Sequence, residues 1–219
     1  MYHRIDVLRP TLPELTHKLT VAALDFAAQM RWLKSHGYQT ITQRQLYDAL
    51  ERGKPLPPKP VMLTFDDGYR DVFANASTVL HRLGMHATAY VITGRISGPD
   101  ASFLTWPLLK GLERRGFDIG SHTVSHADLT SLPNSAAMKE LVNSRRALER
   151  HLGHPVQWLA YPLGKEDPRV AELARRAGYV LAVTTQGGVV QDASAPLELH
   201  RYEVLDTTGV SGLASFLGG

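Results

Sequence analysis

Three short stretches of the chain carry the side chains able to do chemistry. In Thr64-Phe65-Asp66-Asp67-Gly68 two carboxylates are adjacent at the end of an apolar run. Holding them together is costly, because each opposes the other's ionisation. Neighbours on an extended chain point to opposite sides. A sharp turn at Gly68 would bring both to one mouth, one aimed at a cation and the other at its water. The same residues also suit a helix N-terminus over Tyr69 to Leu83, one aspartate capping and the other complementing the dipole. In Ser121-His122-Thr123-Val124-Ser125-His126 two imidazoles stand four residues apart. On a helix they would share a face and could share a divalent ion. Asp67, His122 and His126 then form a set of one carboxylate and two imidazoles with positions left for water, which suits catalytic zinc and several other divalent metals. The third stretch is Leu159-Ala160-Tyr161-Pro162-Leu163-Gly164. Its aromatic, proline and glycine suit either an ordinary turn or a rigid one that aims a backbone N–H at a developing oxyanion.

Position is what singles out the histidine pair. With ten histidines in the chain, close pairs arise by chance, and His81 with His86 or His151 with His154 follow no expected strand end. All three chemical stretches do. Short apolar runs of strand length lie at Val61 to Phe65, Ala87 to Ile92, Phe117 to Gly120, Gln157 to Tyr161 and Tyr179 to Thr184. Between them apolar residues recur at helical spacing: Phe73, Ala76, Leu80 and Leu83; Ala137, Leu141, Leu148 and Leu152; Val170, Leu173 and Ala177. An earlier run has Phe26, Met30 and Leu33. Gly84, Gly116, Gly153 and Gly178 each follow such a run, where a left-handed residue ends a helix. Lys54 to Pro60, with four prolines, reads as an extended connector. Alternation of strand and helix predicts a parallel sheet covered by helices, either open and doubly wound or closed as a barrel. Parallel α/β proteins place their sites at strand ends.

With 219 residues, 43% hydrophobic and 21% charged, the chain is expected to form one globular domain over residues 1–219. The net charge is +3. The arginine doublets at Arg114, Arg145 and Arg175 fall on predicted helices, as solvated faces rather than a nucleic-acid surface. Absence of cysteine excludes disulfides and thiolate metal sites. No glycine-rich phosphate fingerprint follows a strand. No apolar run is long enough to span a bilayer and no signal peptide is evident. The expected location is therefore cytoplasmic, or the cell envelope if the N-terminus is truncated.

Taken together, these stretches resemble the polysaccharide deacetylase family, the NodB-homology carbohydrate esterases. The aspartate and histidine motifs match in residue, order and spacing. Met1-Tyr2-His3, Gln29-Met30-Arg31-Trp32-Leu33, Leu56-Pro57-Pro58 and Asp118-Ile119-Gly120-Ser121-His122 also read like members. Leu159 to Gly164 looks like the third motif of the branch that includes poly-N-acetylglucosamine deacetylases. The resemblance implies a distorted (β/α) barrel of about seven parallel strands. It implies hydrolytic removal of N-acetyl groups from an amino-sugar polymer or glycoconjugate, with zinc as cofactor and cobalt or nickel as substitutes. Position by position, Asp66 would be the general base and Asp67, His122 and His126 the metal ligands. The backbone N–H near Leu163 would hold the oxyanion. Thr123 would support the site, and Thr123, Tyr161 and Tyr69 would stand on the substrate side.

The chain departs from the family pattern in three places. Ala160 replaces the arginine that commonly orients the base. No aspartate–tryptophan motif occurs, and Ala182 to Gly188 occupies its region. The late histidine that serves as general acid is matched only by His200 in Leu199-His200-Arg201, which leaves Arg201 open between the base and the substrate. Two rival functions fit the same residues: a carbohydrate-binding pseudoenzyme, and a hydrolase of a non-sugar amide or cyclic imide.

Overall fold

Five of the apolar runs become one parallel sheet. In the computed structural model, which describes residues 1–218, strands β5 (Thr64–Phe65), β6 (Ala87–Val91), β7 (Phe117–Ser121), β8 (Trp158–Ala160) and β9 (Leu181–Val183) lie side by side in chain order. All neighbours in this sheet are parallel. Two extended segments that lack an apolar run continue the ring. Val183 bridges Leu199 in parallel, Val204 and Met1 exchange backbone bonds with Met1 and Tyr202, and Tyr2 bridges Phe65. The expected distorted barrel is thus five paired strands closed by residues 1–3 and 199–204. Beside it lie two small parallel pairs, β1 (Arg4–Asp6) with β2 (Thr20–Ala22) and β3 (Gln39–Thr40) with β4 (Pro60–Val61).

Side-chain alternation divides the core into an outer and an inner part. Outward-facing Phe65, Ala89, Val91, Phe117 and Ile119 pack on helices α2 (Ala23–Ser35), α4 (Ser77–Leu83) and α5 (Trp106–Arg114). Phe26, Met30 and Leu33, the predicted stripe of α2, are fully buried there. Burial of each such side chain contributes about 1.5–3 kcal/mol. Leu159, Tyr161 and Ala182 pack on α6 (Asn134–Leu152) and α7 (Pro168–Arg176). Inward-facing Tyr90, Ala160, Leu181, Val183 and Leu199 fill the barrel, and its N-terminal end is plugged by Leu46, Tyr47 and Leu50 of α3 (Gln43–Arg52). Helix α3 starts with a capping box, in which Thr42 and Gln45 satisfy each other's backbone N–H groups. The short helices α1 (Glu14–Lys18) and α8 (Gly209–Phe216) complete the shell.

Sequence patterns located these elements well but not their irregularities. The helix expected from Tyr69 to Leu83 is a π-helical turn over Val72–Ala76 followed by α4. The four glycines expected to end helices all have left-handed φ, from 66° to 93°. Arg115 and Arg145 are not simply solvated: Arg115 donates to the Phe73 carbonyl and the Ser77 hydroxyl, and Arg145 donates to the Ala177 carbonyl.

Candidate active site

The paired aspartates sit where β5 ends, at the C-terminal mouth of the barrel. Asp66 follows the inward register of Thr64 and is 2% exposed. Asp67 and Gly68 then take left-handed φ of 73° and 85°. Aspartate tolerates this conformation better than most residues, and glycine adopts it freely. This double left-handed step swings the Asp67 carboxylate to the same mouth. The turn expected at Gly68 is therefore present, and Asp67 is part of it.

The two histidines converge by a different route from the one expected. Residues 122–126 are loop rather than helix, and Thr123 and His126 both have φ of 65°. A β-branched residue held there costs about 1–3 kcal/mol, so the surroundings must fix it. Glu140 on α6 accepts bonds from the backbone N–H groups of Val124 and Ser125 and from the Ser125 hydroxyl, each at 2.9 Å. From the loop after β6, the Thr93 and Gly94 N–H groups donate to the Thr123 and Val124 carbonyls at 3.0 and 2.9 Å. Thr123, fully buried, accepts the His126 N–H on its hydroxyl at 3.1 Å. It supports the loop and does not reach the substrate side.

At the mouth, Asp67 Oδ1 lies 3.5 Å from His122 Nε2 and 3.7 Å from His126 Nε2. These separations are too long for hydrogen bonds. They approach the spacing of about 3.4 Å between two tetrahedral ligands each about 2.0–2.1 Å from one zinc ion. Asp67 Oδ1 is buried and has no hydrogen-bond partner, a costly state unless a cation compensates. His122 donates its Nδ1–H to the Ala160 carbonyl at 2.8 Å, which leaves the Nε2 lone pair facing Asp67. Burial first, and then the neighbouring His122, lowers the pKa of His126, which keeps its imidazole available as a neutral donor. Among the described residues, this is the one group of three or more such side chains whose ligand atoms converge.

Asp66 has a different partner. Arg201 forks onto its two carboxylate oxygens at 2.9 and 2.7 Å. The same guanidinium donates to the Thr64 hydroxyl and the Thr184 carbonyl, both at 2.9 Å. Burial alone would raise the Asp66 pKa, but the charge and hydrogen bonds of Arg201, with help from His122 and His3, hold it well below the usual carboxylate range. Arg201 thus makes the contact with Asp66 that the resemblance assigned to an arginine at the position of Ala160, and it does so from a strand that the sequence did not announce.

Two further sequence expectations need correction and one residue was missed. Leu199 and Arg201 both point into the barrel, so the extended chain between them turns His200 outward, its ring against Gly188 and its backbone paired with Gln191. It does not face the aspartates. Tyr161 is outward on the same principle. Tyr161 is 1% exposed in the packing against α6 and α7 and so offers no ring face to a substrate. Tyr69 does stand at the rim, half-buried and stacked on Phe103 at 4.9 Å, with Arg4 over its ring. Leu163 occupies a tight turn after β8 with φ of 60° and an exposed side chain. The missed residue is His3. Tyr2 points outward, stacked on Phe65 and edge-to-face with Phe26, so His3 faces inward beside Asp66, where its charge bears on both Asp66 and His126. Its Nδ1 is buried without a hydrogen bond, 3.8 Å from Glu203 Oε1.

The polysaccharide deacetylase family model matches residues 53–182, more than half of the chain. The chain belongs to this family. A Bacillus subtilis polysaccharide deacetylase homologue, YxkH, is 32% identical over 98% of this chain and 72% of its own length. The poly-beta-1,6-N-acetyl-D-glucosamine N-deacetylase of Staphylococcus aureus is 23% identical, and the match spans 73% of this chain and 59% of that enzyme. Among solved structures, Streptococcus pyogenes deacetylase PplD in complex with acetate superposes with a TM-score of 0.91 at 30% identity, covering 99% of this chain and 95% of that one. IcaB from Ammonifex degensii gives 0.84 at 25% identity, covering 100% and 95%. Membership makes the protein a deacetylase of sugar polymers, a hydrolase of non-peptide carbon–nitrogen bonds, built on a distorted parallel barrel.

Proposed function

We propose that this deacetylase removes N-acetyl groups from an amino-sugar polymer or glycoconjugate with a divalent cation, zinc foremost, held by Asp67, His122 and His126. The observation that carries the reading is the unpaired, buried Asp67 Oδ1 facing two ring nitrogens at 3.5 and 3.7 Å. The staphylococcal relative, named for poly-beta-1,6-N-acetyl-D-glucosamine, supports the substrate class. A cation bound there supplies Lewis acidity, polarising an amide carbonyl and lowering the pKa of a water from about 16 toward about 7.

The chain's own residues supply the rest. Asp66 stays ionised across the working range and is aimed by the Arg201 fork, so it accepts a proton from the attacking water without reorienting. A backbone N–H in the Leu163 turn donates to the oxygen that becomes negative. His3 replaces His200 as the group that protonates the departing amine, because it faces inward beside Asp66. Tyr69 offers a ring edge to the sugar beside Asp67.

Acetate release from an N-acetylglucosamine oligomer tests this reading. Chelator-stripped protein should be inactive and regain turnover with zinc. Asp66→Asn should nearly abolish turnover while zinc remains bound. Normal activity in that variant would rule out Asp66 as the base, and normal activity of the stripped protein would rule out the cation.

A further inference from the structure

The guanidinium that aims the base is itself seated on a column of side chains running down the barrel axis. Arg201 is 7% exposed, and its Cζ lies 5.6 Å from the centroid of the Tyr90 ring. That ring is fully buried. It has room to lie there because the neighbouring strand carries Gly120, where a Cβ would fall 2.4 Å from Tyr90 Cδ1. The hydroxyl of Tyr90 is bonded by the Gln43 amide, which also donates to the Thr88 hydroxyl at 3.2 Å. Gln43 opens α3, and its backbone N–H donates to Asp118 Oδ2 at 2.7 Å. A polar chain therefore runs from the plug helix through an aromatic ring to the arginine that holds Asp66.

We propose that Tyr90, given room by Gly120 and tethered by Gln43, is a positioning residue for deacetylation: its ring face supports the Arg201 guanidinium and thereby fixes both oxygens of Asp66. The physical case rests on what a buried guanidinium needs. Four of its five in-plane N–H groups are used on Thr64, Asp66 and Thr184, and these bonds fix the fork only within its plane. A ring face beneath it resists tilting and adds a favourable cation–π contact in a desolvated site. Small tilts matter because a misplacement of about 1 Å in a reacting group can cost about 100-fold in rate. The inference rests on Asp66 being the base, as proposed above.

The test uses the zinc-loaded full chain with an N-acetylglucosamine oligomer, reading kcat, KM, zinc per chain and the thermal midpoint. Tyr90→Met fills the space without a ring face. It should lower kcat by about 10- to 100-fold with little change in KM or zinc content. Tyr90→Phe, which keeps the face, should restore most of the loss. In an Arg201→Lys background, Tyr90→Met should cause little further loss, since the fork it supports is already gone. A wild-type kcat in Tyr90→Met, or the same fold-loss in both backgrounds, would overturn the proposal. Should Tyr90→Met fail to fold, Gln43→Met decides: it should slow kcat severalfold in the wild-type background and not in Arg201→Lys, and an unchanged kcat overturns the proposal. Asp66→Asn in the same assay keeps the two failures apart. Activity in that variant sinks the base itself, whereas its inactivity beside an active Tyr90→Met sinks only the support.

Discussion

The two ends of the barrel hold the same kinds of residue and put them to different use. At the floor, Glu113, Asp118, His86 and His154 gather around the N-terminal ends of β6 and β7, yet each has a protein partner. His154 Nε2 meets Glu113 at 2.6 Å, Asp118 Oδ2 accepts the Gln43 N–H at 2.7 Å, and His86 Nδ1 lies 3.3 Å from the Gly116 carbonyl. At the mouth, Asp67 and two histidines stop at 3.5 and 3.7 Å and leave Asp67 Oδ1 bare. Residue type alone does not make a metal centre. Converging lone pairs with nothing to accept from mark the mouth as the candidate cation site, because leaving them buried and unpaired is costly.

The strongest way to break this comparison is to remove one ligand from each end. His122→Ala should abolish stoichiometric zinc binding and lower kcat/KM by at least about 100-fold, as read by metal analysis and acetate release. His154→Ala should change neither. Equal zinc loss in both variants would dissolve the distinction.

Arg201→Lys probes the mouth from the other side. Lysine keeps the charge but loses the two-pronged grip on Asp66 and the bonds to Thr64 and Thr184. We expect kcat to fall at least as far as in Tyr90→Met, about 100-fold, with zinc content unchanged, measured by steady-state kinetics beside metal analysis. Loss of zinc with activity would show that the arginine supports the ligands and not the base.

The contrast between Asp67 and Arg201 also marks how far the sequence could be read. Asp67, His122 and His126 were legible because each motif is local and follows a recognisable strand. Their geometry was not. A helical spacing suggested a shared helix face, whereas two left-handed residues do the work, and residue types such as threonine and histidine do not announce positive φ. Arg201 meets Asp66 across 135 residues of chain. Its strand, like that of His3, is a short extended piece with no apolar run to betray it. Once that strand's register is known, simple alternation moves His200 outward and Arg201 inward. The same rule turns Tyr161 into the helix-packed core, a fact that depends on where β8 begins. The barrel itself was legible because helix spacing and closing glycines are repeated signals, while its closure by residues 1–3 and 199–204 was not.

A smaller effect should follow from loosening the histidine loop. Glu140→Gln keeps the shape but weakens the three bonds to Val124 and Ser125. Zinc affinity, measured by competition with a chromophoric chelator, should drop by about 10-fold with the melting temperature of the stripped protein little changed. An unaltered affinity would mean that the Thr93 and Gly94 contacts hold the loop alone.

The smallest effect belongs to the floor. Hydrogen bonding to Glu113 first, and then to the Pro155 carbonyl, raises the His154 pKa above its ordinary 6.5. A raised pKa in the folded state means that the folded protein binds the proton more tightly. Its stabilisation is fully present below about pH 6.5 and fades as the pH rises through the higher folded-state value. His154 is half exposed and Glu113 partly so, so solvent screens the pair and Glu113→Gln should cost only a few tenths of a kcal/mol. Denaturant midpoints taken at pH 5.5 and pH 9 should show this difference at the lower pH alone, with deacetylase activity unchanged.

The most direct measurement is an anomalous difference map from a crystal of the protein soaked with zinc. A single strong peak should appear about 2.0–2.2 Å from Asp67 Oδ1, His122 Nε2 and His126 Nε2, with Asp66 nearby and still gripped by Arg201. A mouth without a peak, or zinc seated instead between Glu113 and His154, would contradict the account.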